Sequence, residues 1–90
     1  MIFEWDLSKA AANERKHGVS FEEASTVFGD PLSDTFDDPD HSESEKRFII
    51  IGHSIKGRLL FMAHRDDISS VRIKSTKELT SSERKQYERE

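Results

Sequence analysis

The amino-acid sequence predicts an α+β fold: an antiparallel sheet with two N-terminal helices packed on one face and a short C-terminal helix. Two helix-like segments, at residues 7–17 and 21–28, come first and are separated by a glycine. Four segments rich in β-branched and aromatic residues follow, joined by polar turns, which is typical of an antiparallel meander. With 90 residues, the chain is expected to form a single domain, residues 1–90.

The start of the chain predicts a short strand followed by a helix. The segment MIFEW has the pattern of a strand, and Asp6 is a suitable N-cap for LSKAAANERKH, whose alanines favour a helix. Lys16 and His17 then place basic side chains near the negative end of the helix dipole, and Gly18 suits the left-handed position after the helix. We therefore interpret His17 as part of a helix–helix joint, not as a catalytic residue.

A second helix is predicted from its start signal, its periodicity and its end. Ser20 and Glu23 form an S-x-x-E capping box. One apolar stripe at helical spacing follows, made of Phe21, Ala24, Val27 and Phe28. Gly29-Asp30-Pro31 ends this helix.

The remaining segments predict four strands and a terminal helix. LSDTF is a short strand, and a polar acidic loop at residues 37–45 follows it. KRFIIIGHS and GRLLFMAHR form a hairpin around residues 55–57, with the loop length left open, and SSVRIKST is the last strand. Thr80 and Glu83 form a second capping box, which opens a helix that runs through Tyr87.

The two hairpin strands carry apolar residues at both odd and even positions, whereas a half-solvated strand alternates. Both faces of the sheet are therefore expected to be covered in the middle. The two N-terminal helices can cover one face only. We expect the last helix to cover part of the second face and a bound partner to cover the rest.

The composition limits the core and the possible functions. Hydrophobic residues make up 33% and charged residues 36% of the chain, against roughly 45–50% and 25% in typical globular proteins. The absence of cysteine excludes disulfides and thiolate catalysis. Apolar runs such as residues 48–51 are too short to span a bilayer, and the N-terminus does not resemble a signal peptide. We expect a cytoplasmic protein without membrane association.

Charge is distributed unevenly along the chain. Residues 1–45 contain twelve acidic and three basic side chains, whereas residues 46–77 contain eight basic and two acidic ones, within a net charge of −4. This asymmetry indicates a local anion site in the C-terminal half. Ordinary solvated positions on strands would explain the same charges.

The C-terminal half contains the residue types needed to cleave RNA without a metal. The 2′-OH of RNA can attack the neighbouring phosphate if the protein supplies a proton acceptor, a proton donor and cations. No histidine pair has metal-ligand spacing and no nucleophile motif is present, so neither a metal nor a cofactor is expected. The suitable side chains are Arg47, Arg58, His64, Arg72, Lys74, Lys77, Arg84 and Tyr87.

The segment FEWDLSKAAANERKHGVSFEEA closely resembles the N-terminal motif of the BrnT toxins of bacterial type II toxin–antitoxin systems. The family pattern is matched by Phe3 to Asp6, Lys9, Asn13, Lys16 to Val19 and Phe21 to Ala24. Later agreement lies in DPLSDTF, IGHS, GRLL and VRIKS, so the resemblance covers nearly the whole chain.

This resemblance implies a RelE-like ribonuclease fold and an RNA-cleaving toxin. It further implies a small DNA-binding antitoxin that neutralises the toxin in a hetero-oligomer and brings the pair to operator DNA. By position, it implies catalytic roles for His64, Arg72, Lys77 and Tyr87. The RNA-binding roles that it implies fall on Arg47, Arg58, Lys74, Ser75 and Arg84.

Two departures from the family pattern keep an alternative function open. Lys77 stands where relatives carry arginine, and Glu78 places an acid in a normally basic turn. The alternative is a non-catalytic, degenerate toxin-like binding module that acts with the antitoxin as an operon co-repressor. A secondary role of Lys16 or His17 in binding RNA is also left open.

Overall fold

The computed structural model describes residues 1–38 and 46–88, which form a five-stranded sheet with three α-helices. The strands are β1 (Ile2–Glu4), β2 (Asp34–Asp37), β3 (Arg47–His53), β4 (Leu59–Asp66) and β5 (Ser70–Glu78). The helices are α1 (Leu7–His17), α2 (Phe21–Ser25), which continues as a 3₁₀ turn (Thr26–Gly29), and α3 (Ser81–Glu88). The predicted α+β class and element order are confirmed. Most of the predicted acidic loop, residues 39–45, lies outside the described residues.

The sheet is mixed, with strand order β1-β5-β4-β3-β2. Strands β2 to β5 form the predicted antiparallel meander. The prediction of a wholly antiparallel sheet is wrong, because β1 pairs parallel with β5 and places Phe3 opposite Val71. Short turns reverse the chain between β3 and β4 and between β4 and β5. Strand β1 is instead followed by both helices, so no turn forces it to run antiparallel. No helix among residues 1–38 and 46–88 is long and apolar enough to cross a membrane.

The first helix begins and ends where the sequence predicts. The Asp6 carboxylate accepts a hydrogen bond from the Lys9 backbone N–H at 3.0 Å. Gly18 adopts a left-handed φ of 68° and donates its N–H to the Glu14 carbonyl. This hydrogen bond gives the Glu14 carbonyl, near the helix end, a donor, as in a left-handed C-cap.

The second helix uses only half of the predicted capping box. The Glu23 N–H donates to Ser20 Oγ at 3.0 Å. The Glu23 carboxylate does not return to the Ser20 backbone as predicted; it accepts from Ser54 Oγ at 2.7 Å and from the Arg58 guanidinium. Glu23 therefore links α2 to the β3–β4 turn. A cation and a hydroxyl together form stronger, charge-assisted hydrogen bonds with a carboxylate than one backbone N–H does.

The β3–β4 turn settles the open hairpin length. Ser54 N–H donates to the Arg58 carbonyl, so the loop contains three residues, 55–57. Gly57 lies in the left-handed region at φ 81°, which three-residue hairpin loops require at their last position.

One face of the sheet, the covered face, packs against α1, α2 and the 3₁₀ turn. Asn13 of α1 is buried and hydrogen-bonds with Thr76 of β5 and with the Val19 carbonyl. The apolar core on this face consists of Val19, Phe21, Ala24, Val27, Ile50, Leu60, Met62 and Ile73.

The opposite face, the open face, carries Phe36, Ile49, Ile51, Phe61 and Ser75, as the strand pairing shows. Helix α3 covers only the end of this face near the β3–β4 turn. There the Tyr87 hydroxyl donates to Asp34 at 2.8 Å. The last helix therefore lies against part of the second face.

His64 lies in the covered face and is only 1% exposed. Its ring stacks with Phe48 and meets Phe28 edge-on. Nδ1 is 2.7 Å from the Asp66 carboxylate, while buried Nε2 has no hydrogen-bond partner among the described residues. Burial lowers the pKa of His64 from 6.5, although Asp66 acts in the opposite direction. The folded protein therefore holds this ring in its neutral form near neutral pH.

We predict that the free energy of unfolding is highest above pH 6.5, the ordinary histidine pKa, and falls as the pH drops below it. Below this pH, His64 binds a proton in the unfolded chain but not in the folded protein. The free energy of unfolding therefore falls by up to about 1.4 kcal/mol for each pH unit. Urea unfolding above and below this pH measures the effect. His64→Gln, which cannot titrate, is the comparison, and an equal pH dependence of both proteins would contradict the prediction.

Gly18→Ala should lower the free energy of unfolding by about 1–2 kcal/mol, because a Cβ strains the left-handed conformation. Steric contact does not contribute, since no atom lies within 4 Å of the added Cβ. Gly29→Ala is the matched control, because that site is equally open and has no positive φ. Urea unfolding of both variants makes the comparison, and equal effects would argue against the cap.

Candidate functional site

Three arginines form a row across the open face. Arg47 of β3 is directly opposite Arg65 of β4, and Arg65 is directly opposite Arg72 of β5. Directly paired residues project from the same face of a sheet with Cβ atoms about 5 Å apart. Like charges this close repel unless anions lie between them. We call Arg47, Arg65 and Arg72 the arginine row.

Exposed carboxylates accompany the row. Arg65 lies 3.1 Å from Asp67, and Arg72 lies 3.9 Å from Glu4, its neighbour on β1. Both carboxylates are 43% exposed, and exposed ion pairs contribute at most about 1 kcal/mol. A phosphate could therefore replace these carboxylates at little cost in free energy.

A β-bulge in β5 brings Arg72 into this row. Ala63 pairs with Ser75 but His64 pairs with Ile73, so Lys74 is an extra residue in β5. Without the bulge, strand alternation would place Arg72 on the covered face and Ile73 on the open face. The bulge reverses both, so Ile73 is buried in the core while Arg72 joins Arg65. Lys74 itself is half-buried at the bulge.

A second group of predicted residues lies at the α3 end of the open face. Lys77 contacts the Glu83 carboxylate at 2.8 Å and lies 5.8 Å from the centre of the Phe61 ring. This lysine, with the Thr80 N–H, lowers the pKa of Glu83 to about 2. Burial and the Asp34 carboxylate raise the pKa of Tyr87 to about 12, so its hydroxyl stays protonated. Arg84 is exposed on α3.

Small residues separate the two groups. Ala63 and Ser75 pair directly, two residues from Phe61 and Lys77 on one side. The arginine row begins two residues further along β4, at Arg65. At about 3.3 Å per residue, each group lies about 7 Å from the Ala63–Ser75 pair and about 13 Å from the other.

Two predicted residues do not lie on the open face. Arg58 binds the buried Glu23 carboxylate through Nε at 2.9 Å and through a second, shorter contact, and donates to the Gly18 carbonyl at 3.1 Å. The Arg58 guanidinium in turn lowers the pKa of Glu23. Glu78, the acid that departs from the family pattern, lies 3.8 Å from Arg58 and is remote from the arginine row. His64 is buried on the covered face.

Sequence reasoning did not single out Arg65, although Arg65 is central to the row. Its signal was present, because it follows Phe61 and Ala63 at alternate positions of the same strand. The position of Arg72 beside it had no such signal, since it depends on the bulge.

A cavity of about 260 Å³ opens between α3 and the sheet. Aromatic rings and aliphatic side chains form most of its wall, with Glu83 and Gln86 at the helix side. The lining residues are Phe36, Ile51, Phe61, Leu79, Glu83, Gln86 and Tyr87. Within the described ranges, no group of three or more histidine or acidic side chains is placed to hold a metal ion.

Comparison with known proteins identifies a family and a similar solved structure. The family model described as "Ribonuclease toxin, BrnT, of type II toxin-antitoxin system" matches residues 5–83. The structure is similar to the crystal structure of the Brucella abortus ribonuclease toxin BrnT, with a TM-score of 0.70 and 16% identity, over 90% of this chain and 100% of that one. No curated protein sequence matches. The structural likeness supports the fold, and the family match spans most of the sequence. The chain therefore belongs to the BrnT family of ribonuclease toxins of type II toxin–antitoxin systems.

Proposed function

We propose that the protein is a toxin that binds RNA across its open face and cleaves it by attack of the RNA's own 2′-OH, without a metal. The observation that carries this proposal is the arginine row. Three arginines occupy directly paired positions of neighbouring strands, on one face of a protein whose net charge is −4. Such a local concentration of positive charge binds phosphates, and membership of a ribonuclease toxin family supports RNA as the substrate.

The Ala63–Ser75 pair is the place we assign to the scissile phosphate. Small side chains leave room there, with the arginine row on one side and Lys77 on the other. Strand geometry places each charged group about 7 Å from the Ala63–Ser75 pair. The long side chains of arginine and lysine can span that distance. Arginine presents two parallel N–H groups to a phosphate, and such donors stabilise the charge that builds up during attack.

Proton transfer is assigned to the α3 end. Tyr87 has a pKa of about 12, so we assign its hydroxyl to proton donation to the leaving 5′ oxygen. The proton of the attacking 2′-OH passes to solvent water as the bond from the 2′ oxygen to phosphorus replaces the bond to the 5′ oxygen. Lys77 adds a further positive charge beside the phosphate. We assign contacts along the RNA to Ser75, Lys74 and Arg84. The resemblance to BrnT toxins implies a RelE-like fold, and we propose that the sheet of this fold uses its open face for RNA.

The burial of His64 changes the role that we propose for it. A side chain that is 1% exposed cannot touch RNA without local opening. His64 is the neighbour of Arg65 in β4, and its ring is clamped by Phe28 and Phe48. We assign it to positioning the arginine row. Arg58, which binds Glu23, is assigned to holding the fold.

The open face is also the surface that we assign to inhibition by an antitoxin. Ile49, Ile51 and Phe61 form an apolar middle between the two charged ends, and specific interfaces commonly have this pattern. We propose that a small antitoxin packs an amphipathic segment here and blocks RNA. The antitoxin itself would contact operator DNA within the hetero-oligomer.

The structure also gives one reason to keep the non-catalytic alternative. Lys77 is paired with Glu83, and His64 is buried. Both are groups that catalysis was expected to use. If the purified protein forms an antitoxin complex that binds operator DNA but leaves RNA intact, the co-repressor function is favoured.

Arg72→Ala should reduce RNA cleavage about 10²–10³-fold, because it removes one transition-state cation. The measurement is cleavage of single-stranded RNA by the purified protein in the presence of EDTA, with bacterial growth on induction as a second readout. Arg15→Ala on α1 is the matched control, since it removes an equal charge from an exposed site. Full activity of Arg72→Ala would place the site elsewhere. Loss of wild-type activity in EDTA would contradict metal independence.

Ile49→Lys should weaken antitoxin binding roughly 30-fold or more, since a charge in the apolar centre removes a main anchor. Lysine is chosen because it does not repel RNA. Thr35→Lys is the control: Thr35 pairs with Ile50, so it projects from the other face of the sheet, and it is exposed. Calorimetric titration with the antitoxin gives the affinities. Unchanged binding by Ile49→Lys would place the antitoxin on another surface.

A further inference from the structure

The cavity between α3 and the open face has the features of a site for a flat aromatic ligand. Phe36, on the edge strand β2, is 44% exposed. The Tyr87 ring is held in place by the hydrogen bond from its hydroxyl to Asp34. Lys77 lies close to the ring of Phe61, with its ammonium 5.8 Å from the ring centre. Among these three rings, Phe36 therefore offers the most accessible stacking surface.

The volume and the polar groups of the cavity restrict the kinds of ligand that it can bind. At about 260 Å³ it lies below the range of about 300–1,000 Å³ typical for drug-sized ligands. Gln86 at its edge supplies both a hydrogen-bond donor and an acceptor. A planar heterocycle with donors and acceptors on its rim matches these features.

The position of the cavity on the sheet indicates which molecule would supply such a heterocycle. The cavity opens on the same face as the arginine row, and Phe61 is four residues from Arg65 along β4. That separation is about 13 Å, which a few nucleotides of one strand cover. A strand whose phosphates lie on the arginines would therefore bring a neighbouring base to the cavity.

We propose that this cavity binds one unpaired nucleobase of the RNA, stacked on Phe36 and contacted at its edge by Gln86. The proposal rests on the proposed function and adds to it a contact with a base, where the arginine row contacts only phosphates. Stacking on aromatic side chains is the common way in which proteins hold single-stranded bases. An aliphatic side chain of a protein partner would also fill an apolar cavity, but it would not need a ring at position 36.

The test uses the full-length protein and short single-stranded 2′-O-methyl RNA, which cannot be cleaved because the attacking hydroxyl is blocked. Phe36→Leu should weaken binding about 5- to 100-fold, the range expected for loss of one base stack. Phe36→Trp keeps a ring and should bind like the wild type. Leu32→Ala is the control, since Leu32 is exposed and does not line the cavity.

A second measurement separates a direct contact from a general effect. One base at a time is replaced by an abasic site in the same oligonucleotide. At one position, this replacement should weaken binding to the wild type but not to Phe36→Leu, because both changes remove the same interaction. Purely additive losses at every position would overturn the proposal.

The remaining outcomes distinguish this proposal from the proposed function. If Arg72→Ala loses affinity for the oligonucleotide and Phe36→Leu does not, the base site is wrong while the RNA-binding face stands. If the wild type does not bind the oligonucleotide, both fail. If Phe36→Leu binds the oligonucleotide normally but is no longer neutralised by co-expressed antitoxin, the cavity belongs to the protein partner and the base site is overturned.

Discussion

The side-chain amide of Asn13 ties α1, the α1–α2 joint and the strand β5 into one unit. Its nitrogen donates to the carbonyls of Val19 at 3.1 Å and Thr76 at 2.9 Å, and its oxygen accepts from the Thr76 N–H at 3.1 Å. Asn13 is only 8% exposed, and buried hydrogen bonds of this kind fix geometry because leaving them unmade is costly. Thr76 lies between Ser75 and Lys77, so this one amide holds the strand that displays the functional face. The arrangement of the open face depends on that attachment from behind.

The basic and acidic residues, which are distributed unevenly along the sequence, lie mostly on different strands of the sheet. The basic strands β3 to β5 occupy the centre of the sheet, whereas the edge strands β1 and β2 carry Glu4 and the acidic residues Asp34 and Asp37. Acidic edges discourage pairing with other sheets, and they also confine positive charge to the middle of the open face. A thin apolar core is sufficient because α1 and α2 cover one face, whereas α3 covers only one end of the other.

Local signals in the sequence predicted local structure well, and long-range pairing less well. Asp6 and Gly18 defined α1 at both ends because capping acts within one helical turn. The parallel pairing of β1 and the use of Glu23 by Arg58 depend on residues far apart in the chain, so no short pattern contained them. Within the candidate site, the basic residue types were evident, but strand alternation alone would have separated Arg72 from Arg65. His64 and Arg58 were recognised as functional residue types; their burial and ion pairing depend on tertiary packing.

The extra residue in β5 affects which changes in chain length the site can tolerate. Side-chain direction alternates along a regular strand, and at the bulge the two residues between Arg72 and Ser75 occupy the place of one. An in-frame loss of the Lys74 codon would leave Ile73 alone between them, so Arg72 would still lie opposite Arg65 and Ile73 would still face the core. A deletion that elsewhere in a strand would turn side chains to the wrong face would here leave the arginine row in place.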